Sequence, residues 1–156
     1  MMGGYGAFTH RGQGSAMETF ALGPFDVAPD GVLMPRTAHD PPCLRFAWRG
    51  RACMAWLAAE GVRLAADAAR IPSTAEPGAD RRRAFAAAAG LPARLPEGWH
   101  ARLMPDHRIR LETSARMQAA PGATALIATL VRFVLALDPH LDSLEADGAD
   151  WPTAPA

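Results

Sequence analysis

The sequence predicts an α+β domain, with a mostly antiparallel sheet and at least two packed helices. Three observations carry that prediction. Leu44–Trp48 and Ala52–Trp56 alternate apolar and polar residues around a tight Arg49-Gly50 turn, the period of half-buried strands. Trp99–Leu103 and Ile109–Thr113 repeat the pattern around Pro105-Asp106. A long, almost uncharged segment then spaces Leu126, Leu130, Val134 and Leu137 by four, four and three residues, as one helix face requires.

The elements follow in chain order. Residues 1–16 hold five glycines and almost no apolar periodicity, and read as a flexible tail. Residues 17–144 form the expected single domain, and residues 145–156, rich in Ala, Asp and Pro, a second flexible tail. Met17–Leu22 has room only for a short helix. Pro29-Asp30-Gly31 between Phe25–Val27 and Val32–Met34 signals a hairpin or kinked strand. The Leu44–Trp56 hairpin follows a Pro-rich loop. Val62–Ile71 places Val62, Leu64, Ala66 and Ala68 on one strand face, although its alanines leave a helix open; Pro72 ends either. Asp80 is the expected N-cap of a helix over Arg81–Ala89, with Gly90 as its stop and Phe85 as its one large anchor.

The final helix begins after Pro121-Gly122. Ile127 and Val131 should widen its buried stripe, and Phe133 should flank it. Asp138-Pro139 should break the helix or start a new turn. Its other side, Ala125, Ala128, Thr129, Arg132 and Ala136, carries too little charge for an ordinary solvated surface. That side is the candidate partner interface, and a homodimer is the expected occupant.

Composition excludes several function classes. A chain of 156 residues can build a core without staples. Its formal net charge is zero, so long-range attraction favours neither nucleic acid nor an anionic membrane. All 16 basic residues are Arg, and Lys and Asn are absent. Arg and Ala in place of Lys, Asn and Ile is the mark of GC-rich coding, not of phosphate recognition. The apolar run Ala123–Leu137 is interrupted by Arg132 and too short for a membrane span. No secretory signal pattern opens the chain, so a cytoplasmic location is expected, with no nucleic-acid and no membrane partner. Cys43 and Cys53, ten apart, form no metal-ligand spacing. They read as small hydrophobes, with a disulfide across adjacent strands as the alternative.

Chemistry-bearing motifs are sparse. No Gly-x-Ser-x-Gly, phosphate loop or metal-ligand pattern occurs. No cofactor is expected. His39-Asp40 with Cys43 is a weak metal or nucleophile pattern. His100 and His107 flank the second hairpin on its polar side. Arg81, Arg82 and Arg83 open a helix, where positive charge opposes the dipole. A polar cleft made from His100, His107 and this arginine cluster would define the rival function, a small enzyme or ligand-binding domain.

The element order, together with Val62–Pro72, the Arg-rich helix, Leu95-Pro96-Glu97-Gly98-Trp99, Pro105-Asp106 and Arg108–Glu112, resembles the type III secretion chaperone-like fold. The YbjN-type sensory-transduction-regulator proteins share that fold. The resemblance spans residues 25–144 and implies a sheet of about five antiparallel strands with a helix after the last hairpin. Such domains normally begin with a helix, and the secretion chaperones are acidic, whereas this chain is neutral and Gly-rich at its start. The family has no catalytic set to carry over. The resemblance implies a non-enzymatic, protein-binding domain of chaperone or adaptor type that forms a homodimer and binds a protein partner it does not identify.

Overall fold

The computed structural model describes residues 19–36, 41–118, 120–149 and 151. The expected tail over residues 1–16 lies outside them, as do His39 and Asp40. The fold is α+β, with two antiparallel sheets and two helices among these residues. A small sheet contains β1 (Phe20–Leu22), β2 (Phe25–Val27) and β3 (Leu33–Pro35) in that order. The Pro29-Asp30-Gly31 turn makes the expected hairpin of β2 and β3. Phe20–Leu22, within the stretch with room only for a short helix, is a strand paired with Phe25–Val27.

The main sheet contains β4 (Cys43–Trp48), β5 (Arg51–Ala58), β6 (Gly61–Arg70), β7 (His100–Leu103) and β8 (Arg108–Arg116). Its spatial order is β4-β5-β6-β8-β7. The β4–β5 turn is two residues long, and both take positive φ: Arg49 at 48° and Gly50 at 75°. That is the geometry whose twist suits a two-residue hairpin. The alanines of β6 do not make it a helix, because β6 lies between two long strands that satisfy its backbone on both edges. Gly61 starts β6 where a Cβ would stand 2.3 Å from the Ala115 carbonyl oxygen. Only glycine lets the turn approach β8 that closely.

Register divides the main sheet into two faces. Phe46 pairs with Cys53, Cys53 with Ala66, and Ala66 with Leu111, so these side chains share one face. That face packs beneath α2 (Ala123–Ala146). Cys43 pairs with Trp56 on the opposite face. The two cysteines therefore point away from each other, and both are free thiols. Burial, with a smaller contribution from the Asp67 charge, pushes the Cys53 thiol up to about 11.

Helix α1 (Arg81–Gly90) begins at the expected cap, where Asp80 accepts from the Arg83 backbone N–H. Its buried residues are Ala84 and Ala87, whereas Phe85 is exposed and lies against the Arg81 guanidinium. Phe85 is thus not the anchor; Leu91, just beyond the helix, fills that role at 3% exposure.

Helix α2 runs unbroken through Asp138-Pro139 to Ala146. Pro139 removes one N–H, and the carbonyl it would have met, that of Leu135, belongs to an exposed residue that water can serve. Glu145–Ala149 is likewise part of the fold rather than of a tail. Glu145 pairs with Arg49 and Arg51, Asp147 pairs with Arg94, and Ala149 is fully buried. At the other end Gly122 supplies no side-chain cap, and the Ala123 N–H donates to the Gly31 carbonyl at 2.8 Å. The small sheet thereby satisfies the start of α2.

The buried side of α2 holds Leu126, Phe133, Val134, Leu137, Leu141 and Leu144, with Leu130 half-buried. Leu137 is fully buried, so Leu137→Ala should cost about 2–5 kcal/mol in a denaturant titration. A loss below about 0.5 kcal/mol, typical of surface positions, would contradict this placement.

Candidate functional site

The outward side of α2 carries the most unusual surface among the described residues. Ile127, Val131 and Leu135 repeat every four residues along it and are 49%, 48% and 60% exposed. Three large aliphatic side chains in one exposed line are not the usual outer face of a helix. Thr124, Ala125, Ala128 and Ala136 flank them and are exposed. Arg132 is the one formal charge between Met117 and Asp138 among the described residues. Its guanidinium donates back to the Thr129 hydroxyl at 3.1 Å.

The structure places four of the five expected interface residues, Ala125, Ala128, Arg132 and Ala136, at the surface. Thr129 is the exception, at 5% exposure, with its hydroxyl donating to the Ala125 carbonyl. Ile127 and Val131, expected in the buried stripe, point outward instead. The physical reason lies in Phe133. It is 3% exposed and stacks on Trp99 with ring centroids 5.5 Å apart. Seating that ring under the helix rotates α2 away from the side that Ile127 and Val131 would otherwise bury.

A groove of about 410 Å³ runs alongside, between the end of β8 and the first half of α2. Arg116, Met117, Gln118, Ala125, Ala128 and Arg132 help line it. It extends the apolar stripe sideways and gives it a polar border. A second cleft, of about 450 Å³, lies between the small sheet and the β5–β6 turn. Phe25, Leu33, Pro42, Leu57 and Met117 line it, and no titratable side chain does so among the described residues.

The polar candidates do not converge. His100 is exposed and sits opposite Glu112 at the start of β7. His107 occupies the β7–β8 turn at φ 64°. Arg81 donates to the Pro72 carbonyl and Arg83 to the Ala146 carbonyl. Arg81 thus ties the start of α1 to the segment after β6, Arg83 ties it to the end of α2, and Arg82 is exposed beside them. Among the described residues no group of three or more His, Cys, Asp or Glu side chains could hold a metal ion.

By length and composition α2 is apolar enough to cross a membrane, at a mean hydropathy of 1.4. In this fold its inner face is seated on the sheet. No family model, no curated protein and no solved structure matches this chain.

His140 completes the aromatic contact at Trp99, 5.7 Å from its ring centre. Burial, helped by the nearby Arg94 charge, lowers its pKa below the ordinary 6.5. The unfolded chain therefore takes up a proton first as pH falls. The stability that neutral His140 contributes is present above pH 6.5 and is lost progressively below it. An NMR titration of the His140 ring should give a midpoint below 6.5; a midpoint at or above that value would contradict the packing.

Proposed function

We propose that this protein is a non-enzymatic, protein-binding domain of chaperone or adaptor type, and that it self-associates through the outward face of α2. The observation that carries the proposal is the exposed line Ile127–Val131–Leu135. A second copy fits it because the line is symmetric about its centre. A two-fold axis beside Val131 lays Ile127 of one copy against Leu135 of the other and brings the two Val131 side chains together. Each copy then offers and receives the same contacts, as an isologous interface requires. The flanking alanines let the helix backbones approach closely.

Other features suit this reading. Three strands, a helix, two strands and a helix follow one another from β4 to α2, the order that the resemblance to chaperone-like domains implies. The small sheet β1–β3 stands where those domains begin with a helix. Two free thiols suit a reducing, cytoplasmic setting. The rival enzyme reading needs His100, His107 and Arg81–Arg83 to meet in one cleft, and they occupy separate places.

The test is sedimentation velocity. At about 50 μM, a concentration that populates even a modest dimer, the protein should sediment as a dimer. Val131→Glu combined with Leu135→Glu should sediment as a monomer with an unchanged far-ultraviolet circular dichroism spectrum. A monomeric unmodified protein would overturn the proposal.

A further inference from the structure

The face of the main sheet turned away from α2 has its own chemistry. Register places Arg45, Arg63, Arg102, Arg108 and Arg110 on it, from four different strands. The carboxylates of that face are Asp67 and Glu112, joined at its border by Asp106. Asp67 is 2% exposed and is consumed by Arg108 and Arg110, at 3.0 Å and 2.7 Å. Arg102 lies 3.5 Å from Glu112. Arg45 and Arg63 are exposed, and neither has a carboxylate partner among the described residues. A chain of zero net charge thus gathers an excess of guanidinium groups on one surface. Between them Met54 and Ala65 are buried.

We propose that this open sheet face is a docking surface for an acidic segment of a partner protein, whose carboxylates pair with Arg45 and Arg63. Charge complementarity selects the occupant. Guanidinium groups bind carboxylates in a planar, two-pronged fashion. A single-stranded nucleic acid would also bring negative charge, but it needs aromatic faces on which to stack. Trp56 is the aromatic residue that register puts on this face, and the Arg63 guanidinium already lies over its ring, 5.2 Å from the centroid. The surface shares no residue with the outward stripe of α2, so either proposal can fail without the other.

The test uses the full chain and two labelled probes, a (Glu-Ala)6 peptide and a dT12 oligonucleotide. Fluorescence anisotropy should show the peptide binding, with affinity falling at least tenfold between about 50 and about 500 mM salt, because exposed charges are screened beyond a few ångströms at the higher value. Arg45→Gln with Arg63→Gln should weaken the peptide at least about tenfold, the loss expected from removing two charge-assisted contacts. The variant should keep the sedimentation coefficient and thermal midpoint of the parent. Peptide binding that is absent, or that the double variant leaves unchanged, would overturn the proposal. Tighter binding of dT12 than of the peptide would also overturn it, in favour of a nucleic-acid surface.

Discussion

The seating of α2 on the main sheet is the interaction on which the rest of the structure depends. It buries Leu126, Phe133, Val134, Leu137, Leu141 and Leu144 in one stripe. At roughly 2 kcal/mol for each large apolar side chain removed from water, no other element contributes as much to the core. The stacking of Phe133 on Trp99 sets the rotation of the helix, and polar contacts at one end hold it there. Trp48 Nε1 donates to Asp138 at 2.7 Å. Arg49 reaches Asp138, Asp142 and Glu145 from the β4–β5 turn, and Arg51, 6% exposed, pairs with Glu145. Exposed ion pairs contribute little individually. This group differs because Arg51 is buried, so breaking it would leave a guanidinium in the core. With the helix unable to turn, Ile127, Val131 and Leu135 are committed to the outside.

The same logic explains how a neutral chain acquires two different surfaces. The acidic residues of α2, Asp138, Asp142 and Glu145, lie toward its C-terminal end and are engaged by Arg49 and Arg51, while Arg94 takes Asp147 just beyond the helix. That leaves the first two-thirds of the helix exterior apolar. On the far side of the sheet, Asp67 sits in the middle of β6 and draws Arg108 and Arg110 over itself. Arg45 and Arg63 on that face have no carboxylate partner among the described residues. One layer therefore separates an apolar exterior from a basic one, and the two suit different neighbours.

Much of the fold was legible in the sequence because alternation and helical spacing were strong. The β4–β5 and β7–β8 hairpins, the Asp80 cap and the long last helix follow from period and turn chemistry alone. Other features depended on tertiary context. Phe20–Leu22 is three residues long and becomes a strand only because Phe25–Val27 pairs with it. β6 is rich in alanine, and pairing on both edges, not propensity, decided its conformation. Asp138-Pro139 reads as a break, yet the helix runs on through it, with Arg49 pairing both Asp138 and Asp142 across Pro139. The candidate site was half legible. The low charge of α2 singled out its outward side. But Leu126–Leu137 and Ile127–Leu135 are two apolar stripes on one helix, and spacing does not say which faces inward. The stacking of Phe133 on Trp99, between residues 34 positions apart in the chain, made that choice. The sheet-face arginines were obscured by the chain-wide replacement of Lys by Arg, which makes any single arginine uninformative until register assembles them.

On the proposed dimer, the outward stripe of α2 meets its own copy about Val131. Disulfide trapping tests it most directly. In a Cys43→Ser, Cys53→Ala background, Val131→Cys places one thiol per chain at the inferred axis, and Ser114→Cys places one on the open sheet face. On mild oxidation the Val131→Cys protein should convert to a disulfide-linked dimer, because only Cα atoms within about 7 Å can be bridged, while the Ser114→Cys protein stays a single chain. Failure of Val131→Cys to cross-link, or equal cross-linking at both positions, would rule out a two-fold axis at Val131.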